Sequence, residues 1–312
     1  MTRRDDRAWC TPSALPPEVL AYGADVEGAL GVGAAGKLGV LDLQLASRAG
    51  TTRVVGQYQR SPLYVYRPIY LDPVRPDMAF VFMQQQGDGL VQGDRYRTDI
   101  DCGPGTAVHL TTQAATKVFR ARDNFATQLV NLRVGEGAVL EYLPDPVIPF
   151  AGSRLYQRTC LTVADDATVI LGEVLLPGRT ARSEAFDYDL YWADTEARDP
   201  HGTLLFSDRL RLRPGELDDP RSPAVLGRHD VLASLYVISP RMSSAALVTE
   251  LREALADVPD VLSGATELPA GRGAAVRILG GTSRAVRAAM HCAWERARIR
   301  LLGAPIPNLR KG

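Results

Sequence analysis

From Leu38 onward the chain is a long series of short runs in which apolar and polar residues alternate, each closed by turn residues, with no helical stretch between them. Leu41, Leu43 and Leu45 alternate with Asp42 and Gln44, the period of two that turns one strand face to a core and the other to water. The runs "LYVYRPIYL", "MAFVFMQ", "TAVHLTT", "TQLVNLRV", "AVLEYLP", "CLTVADDATVILGEVLL" and "LLFSDRLRLR" follow in the same manner. Strand after strand without helices argues against βαβ units and predicts a mainly β chain, either a β-helical stack or sheet packed on sheet.

Only the C-terminal third changes period. In "SSAALVTELREALADV" Leu247, Leu251 and Leu255 recur every four residues. In "TSRAVRAAMHCAWERARIRLLG" Val286, Met290, Ala293, Trp294, Ala297 and Leu301 form one apolar stripe, with Thr282 or Ser283 placed to cap its start and Gly303 after its end. Two α-helices are predicted there. Residues 1 to about 35 are rich in Pro, Gly, Ala and charge without a period and predict a mobile or loosely packed lead-in to a single domain over 36–312.

Composition narrows the functions. The 312 residues carry 36 Lys+Arg against 36 Asp+Glu, so no global field steers the chain to nucleic acid or anionic lipid. Cys10, Cys102, Cys160 and Cys292 are far apart and lack the short spacings of zinc or redox motifs, which predicts free thiols in a reducing compartment. The N-terminal stretch has arginines but no apolar signal core, and no eighteen apolar residues run together, so a cytoplasmic protein without membrane contact is expected.

Several motifs dissolve on inspection. "GVGAAGKL", Gly31 to Leu38, satisfies G-x-G-x-x-G and nearly a P-loop, but Leu38 lacks the hydroxyl that holds Mg²⁺, and a strand pattern follows where a helix should open. No G-x-S-x-G occurs, and His109, His201, His229 and His291 sit in unrelated contexts. His109 lies in an alternating strand and is read as a hydrogen-bonded structural residue; His291 lies near the apolar stripe of the last helix, where packing is expected. Arg284, Arg287, Arg296, Arg298 and Arg300 are read as a solvated helix face, whose C-terminal end favours cations.

What remains is carboxylate chemistry. Between Gly87 and Phe119, Asp88, Asp94, Asp99 and Asp101 crowd around glycines, and Thr111, Thr112, Gln113 and Thr116 follow. In "TVILGEVLL" a strand puts Val169, Leu171 and Leu175 on one face with Glu173, while Ile170, Val174 and Leu176 fill the other. A glutamate in a strand apolar on both faces is costly without a partner, a cation or water, which makes Glu173 the least ordinary residue in the chain, although an edge position or a salt bridge to an arginine would also account for it. For Asp94, "GD" is common turn chemistry in which Asp bonds nearby backbone.

The blocks "SPLYVYRPIY", "GDGLVQGD", "LTTQAATKVF", "GAVLEYLPDPVIPFAGSR" and "LPGRTARSEAF", in that order, resemble the urease accessory protein UreD (UreH) family, over roughly Gly36 to the final "LRKG". The resemblance implies a non-enzymatic scaffold, mainly β and β-helical with two helices. It implies partners: UreF, through it the GTPase UreG, and the urease apoprotein, with nickel delivered to the urease active site. It also implies no tightly bound cofactor but Ni²⁺ in transit through a water-filled tunnel, whose lining positions carry over to Asp94, Thr116 and Glu173. The family's usual glycine pair opening the first block is Asp88-Gly89 here, a change that could alter the turn, because Asp tolerates positive φ less well than Gly. Some relatives carry serine at the position of Thr116.

An oxygen-lined route has a physical logic. Ni²⁺ stands high in the Irving–Williams order, so imidazole or thiolate cages would hold it, whereas carboxylate, hydroxyl and water let it go. The alternative is a glycoside hydrolase using Asp94 and Glu173 as a carboxylate pair, which needs them about 5–10 Å apart in an open cleft.

Overall fold

The computed structural model describes residues 3–23, 36–215 and 219–309. Its body is mainly β, a solenoid of about four turns, with two long helices in the C-terminal part. The chain alternates between two facing sheets: Arg95–Cys102 runs in the first, Ala107–Thr112 in the second, Ala126–Val134 in the first, Val139–Tyr142 in the second, and so on through Arg154–Val163, Thr168–Leu175 and Leu190–Arg198. Each strand therefore pairs in parallel with its counterpart one coil away.

Glycine corners make the coils superimpose. Gly105 and Gly137 have φ of 65° and 63°, a conformation in which a Cβ would clash with its own backbone. The corners stack as the strands do: the Gly135 amide donates to the Cys102 carbonyl at 2.8 Å, and the Ala164 amide to that of Val134 at 2.9 Å.

Antiparallel strands close the parallel stack. In the first sheet Thr51–Arg60 flanks Leu38–Arg48, and Leu204–Leu212 flanks Leu190–Arg198. In the second, Leu63–Val65 flanks Ala79–Gln85, while Val231–Ile238, Gly273–Gly280 and Val261–Glu267 continue beyond Thr168–Leu175. The main core lies between the sheets, where Leu171, Leu175, Tyr191, Ala193, Leu232 and Tyr236 are buried.

The outer face of the second sheet is covered by the helices Ser244–Ala256 and Ser283–Leu302. Ile170, Val231, Ala233, Leu235 and Val237 meet Leu247, Leu251, Val286, Ala293 and Trp294 in a second core. Ser243 and Thr282 cap the helices through their hydroxyls, and Gly303 ends the second with φ 66°. The apolar stripes predicted from the sequence are those that pack, with one correction. Arg298, expected in the solvated face, is 0% exposed. Its position four residues after Trp294 and beside Ala297 puts it on the buried stripe.

Residues 3–23 pack on the first sheet. Cys10 and Val19 are fully buried, Val19 among Phe125, Tyr156, Leu190 and Trp192, and the Arg97 guanidinium lies 3.9 Å from the Trp9 ring centre. Most of "GVGAAGKL" falls outside the described residues, but at Leu38 a strand begins, so no helix N-terminus stands after the motif to receive a phosphate. The four cysteines are free, and burial pushes the Cys10 thiol up to about 11 and the Cys102 thiol up to about 12. No helix among the described residues is long and apolar enough to cross a membrane.

Candidate functional site

The alternation read from "TVILGEVLL" holds in three dimensions: Val169, Leu171 and Leu175 point between the sheets with Glu173, and Ile170 points to the helices. Strand register extends this single polar position into a polar rung. Glu173 pairs with Ser234, and Ser234 with Arg277, across the second sheet. Opposite them, Thr159 pairs with Thr195, and Thr195 with Asp208, across the first. Six polar side chains thus line up at one level, from the buried Thr159 to the part-exposed Arg277.

Their contacts are specific. Glu173 Oε1 accepts from Gln157 Nε2 and from Thr195 Oγ1, both at 3.2 Å. Asp208 Oδ2 accepts from Tyr236 Oη and from Arg277 Nη2, and Arg277 Nη1 donates to Ser234 Oγ. Thr159 Oγ1, fully buried on the same rung, has no hydrogen-bond partner. Glu173, Thr195, Asp208, Ser234, Tyr236 and Arg277 line one cavity of about 10 Å³, room for about one water.

Electrostatics agrees with the geometry. Burial raises the Glu173 carboxyl, and the Asp208 charge adds to that; the Thr195 and Gln157 hydrogen bonds and the Arg277 charge oppose it, and the net shift is upward. Tyr142, Tyr191 and Tyr236 are raised by burial and, next, by the Glu173 charge, which keeps the phenols around it as neutral donors. The groups of the cavity able to ligate a metal are oxygens, with no His or Cys, and the Arg277 guanidinium lies beside them. Among the described residues no three His, Cys, Asp or Glu side chains converge as a metal cage.

Asp94 is placed elsewhere. Its carboxylate accepts from the backbone amides of Gly36 at 3.1 Å, Lys37 at 2.8 Å and Val91 at 3.0 Å, and from Tyr96 Oη at 3.0 Å. It is a buried brace joining the entry of the first strand to the turn before Arg95. Burial raises its carboxyl, against the lowering effect of these donors. Thr116 is buried in the short strand Thr116–Val118, where its amide donates to Pro146 at 2.9 Å. Neither residue lines the Glu173 cavity.

The remaining residues of the polar stretch are mostly structural. Asp99 pairs with Arg97 and Asn131, and Asp101 with Arg133. Thr111 Oγ1 donates to the Leu143 carbonyl at 2.5 Å, and Thr112 Oγ1 bonds Asp145. In the turn, φ is positive at Gly87 (97°) and Gly89 (154°) but not at Asp88, so the departure from a glycine pair leaves no carboxylate-bearing residue in the left-handed region.

A second polar centre was not foreseen. His109 Nδ1 lies 2.7 Å from Glu141 Oε2, Arg298 Nη1 donates to Glu141 Oε1 at 2.6 Å, and Arg298 Nη2 donates to Asp72 Oδ2, all four side chains being buried. His109 stacks on Trp294 with ring centres 5.3 Å apart, which fits its structural reading, and His291, although exposed, meets the same ring edge-on with centres 6.2 Å apart. Burial pushes the Glu141 carboxyl up, but the His109 hydrogen bond and the Arg298 charge outweigh it and leave it lowered. The signal was present in "AVLEYLP", where a glutamate stands among apolar residues, and the strand Val139–Tyr142 is buried throughout.

Known proteins share this sequence over nearly its whole length. The family model described as "UreD urease accessory protein" matches residues 37–311. A urease accessory protein UreD 2 of Streptomyces griseus is 44% identical over 289 residues, covering 92% of this chain and 98% of the relative. A UreD of Haloarcula marismortui is 38% identical, covering 95% and 97%, and one of Cenarchaeum symbiosum is 34% identical, covering 91% and 99%. Matches of this extent take in the solenoid, the polar rung and both helices together: the chain belongs to the UreD urease accessory protein family.

Proposed function

We propose that the chain serves urease maturation as a scaffold that bridges urease apoprotein to UreF and, through it, to the GTPase UreG, and that nickel passes as cargo along the polar rung at Glu173. Family membership supports the maturation role. The observation that carries the route is the set of oxygen donors between the sheets, in which Glu173 is a carboxylate without a salt bridge of its own among the described residues. Oxygen donors hold Ni²⁺ weakly enough to release it. The expected transport residues are therefore Glu173, Thr195 and Asp208. Asp94 acts as a brace, and Thr116 is a buried strand residue outside the Glu173 cavity.

A carboxylate-pair hydrolase finds no support in this geometry. The Asp94 oxygens are occupied by four donors, and Asp94 does not share the cavity of Glu173. A cavity of about 10 Å³ holds about one water and no sugar ring.

The test is nickel-dependent urease activity in cells expressing urease, UreF and UreG with or without the chain, and with Glu173→Gln. Activity should require the chain and fall with Glu173→Gln while co-purification with UreF persists. Activity indifferent to the chain would remove the maturation role, and wild-type activity of Glu173→Gln would remove the route.

A further inference from the structure

We propose that Arg277 is the gate of this route: its guanidinium, seated against Asp208 and Ser234, blocks the way to Glu173, and a divalent cation enters when Arg277 swings out. The inference rests on the route at Glu173 proposed above, and its test separates the two.

Position comes first. The Arg277 side chain is 42% exposed and that of Asp208 27%, while Glu173, half-buried itself, faces between the sheets in the same cavity. The Arg277–Asp208 pair is thus the rim, with Glu173 beneath it. Tyr236 ties Asp208 down from within, its ring stacked on Phe206 with centres 5.1 Å apart.

Size comes second. The cavity of about 10 Å³ has room for about one water, whereas a hydrated cation carries several. A hydrated cation and the guanidinium do not fit together. Displacing Arg277 vacates the volume of a whole guanidinium and exposes Asp208 and Glu173 to one entrant.

Charge comes third. The Arg277 guanidinium is a cation, so while seated it repels a divalent cation and occupies Asp208, one of the two carboxylates the cation would need. The strand Gly273–Gly280 is hydrogen-bonded on both sides, to Val231–Ile238 and to Val261–Glu267. Its backbone is therefore held, and the moving part is the half-exposed side chain.

The two halves of the ion pair then have opposite effects, which no purely structural salt bridge gives. Arg277→Gln opens the rim and leaves both carboxylates free for the cation. Asp208→Asn keeps the guanidinium but removes its partner at the rim, so Arg277 turns inward to Glu173 and the block tightens. The experiment measures the initial rate of urease activation at limiting Ni²⁺ in the complete accessory complex, for wild type, Arg277→Gln, Asp208→Asn and Glu173→Gln, each normalised to the amount co-purifying with urease. The expected result is a rate about tenfold higher for Arg277→Gln, the equivalent of roughly 1.4 kcal/mol, with lower rates for Asp208→Asn and Glu173→Gln. A rate for Arg277→Gln equal to or below wild type, with Glu173→Gln still slow, discards the gate and keeps the route. Wild-type rates for both Glu173→Gln and Arg277→Gln discard the route, and the gate with it.

Discussion

Replacing Arg298 by Met should be the most damaging conservative change in the C-terminal helix, although the residue lies on a helix otherwise edged with exposed arginines. The thioether chain fills much of the space of the arginine stem, so packing is largely kept and the loss is electrostatic. Arg298 donates to Glu141 at 2.6 Å, to the Pro305 carbonyl at 3.1 Å and to Asp72, and it is 0% exposed. Its removal takes the guanidinium from two buried carboxylates, leaving Glu141 beside His109 and Asp72 on the backbone amides of Val74 and Arg75. Deleting one partner of a buried ion pair costs about 3–5 kcal/mol. With an unfolding entropy of about 2.1 cal/mol/K per residue over 312 residues, that lowers Tm by roughly 5–8 °C. Scanning calorimetry on the full chain measures it. Adding Glu141→Gln and Asp72→Asn should recover part of the loss, because the stranded charges are then gone. A fall below about 2 °C for Arg298→Met would refute the assignment of Arg298 as the counter-charge of both acids.

Glu173 and Asp94 should separate function from stability. The folded-state pKa of Glu173 is raised, so its contribution to stability is fully present below the unfolded carboxylate pKa and lost as pH rises through the folded value. Glu173→Gln should therefore be more stable than wild type at pH 7, with the advantage vanishing below about pH 4; denaturant titrations at both pH values check this, and equal stability at pH 7 would contradict the buried charge. Asp94→Ala removes the acceptor of three backbone amides and one phenol. It should destabilise by about 2–4 kcal/mol, and urease activation per folded molecule should stay near that of wild type. Loss of activation without loss of stability would return Asp94 to the proposed nickel path.

The sequence carried the local half of this structure. Alternation gave the strands, the 3.6 period gave the helices, and the parity of "TVILGEVLL" placed Glu173 on its true face. The same parity was available but unread for Asp208, which shares a face with Phe206 and Leu212 in "LLFSDRLRLR". The partners of these residues were not legible. The alignment of Glu173, Ser234 and Arg277 depends on the register of three strands spread from Thr168 to Gly280. The donors to Asp94 at Gly36 and Lys37 reach it across a parallel pairing that no turn announces. Arg298 was misplaced because charge was weighed above its phase on the helix.

A stack of parallel strands repeated coil upon coil is also the geometry by which chains build fibrils, and each sheet ends in edges that could recruit another copy. Here the outermost strands of the first sheet are antiparallel and carry Arg53 and Arg60 at one side and Asp208, Arg209 and Arg211 at the other. The three-residue strand Leu63–Val65 ends the second sheet at one side, and Val261–Glu267, mostly exposed, ends it at the other. Charged, short and reversed edges resist addition of a further strand. The fold thus keeps a fibril-like interior on a chain that ends its own growth, so assembly with other proteins falls to side-chain surfaces and not to sheet extension.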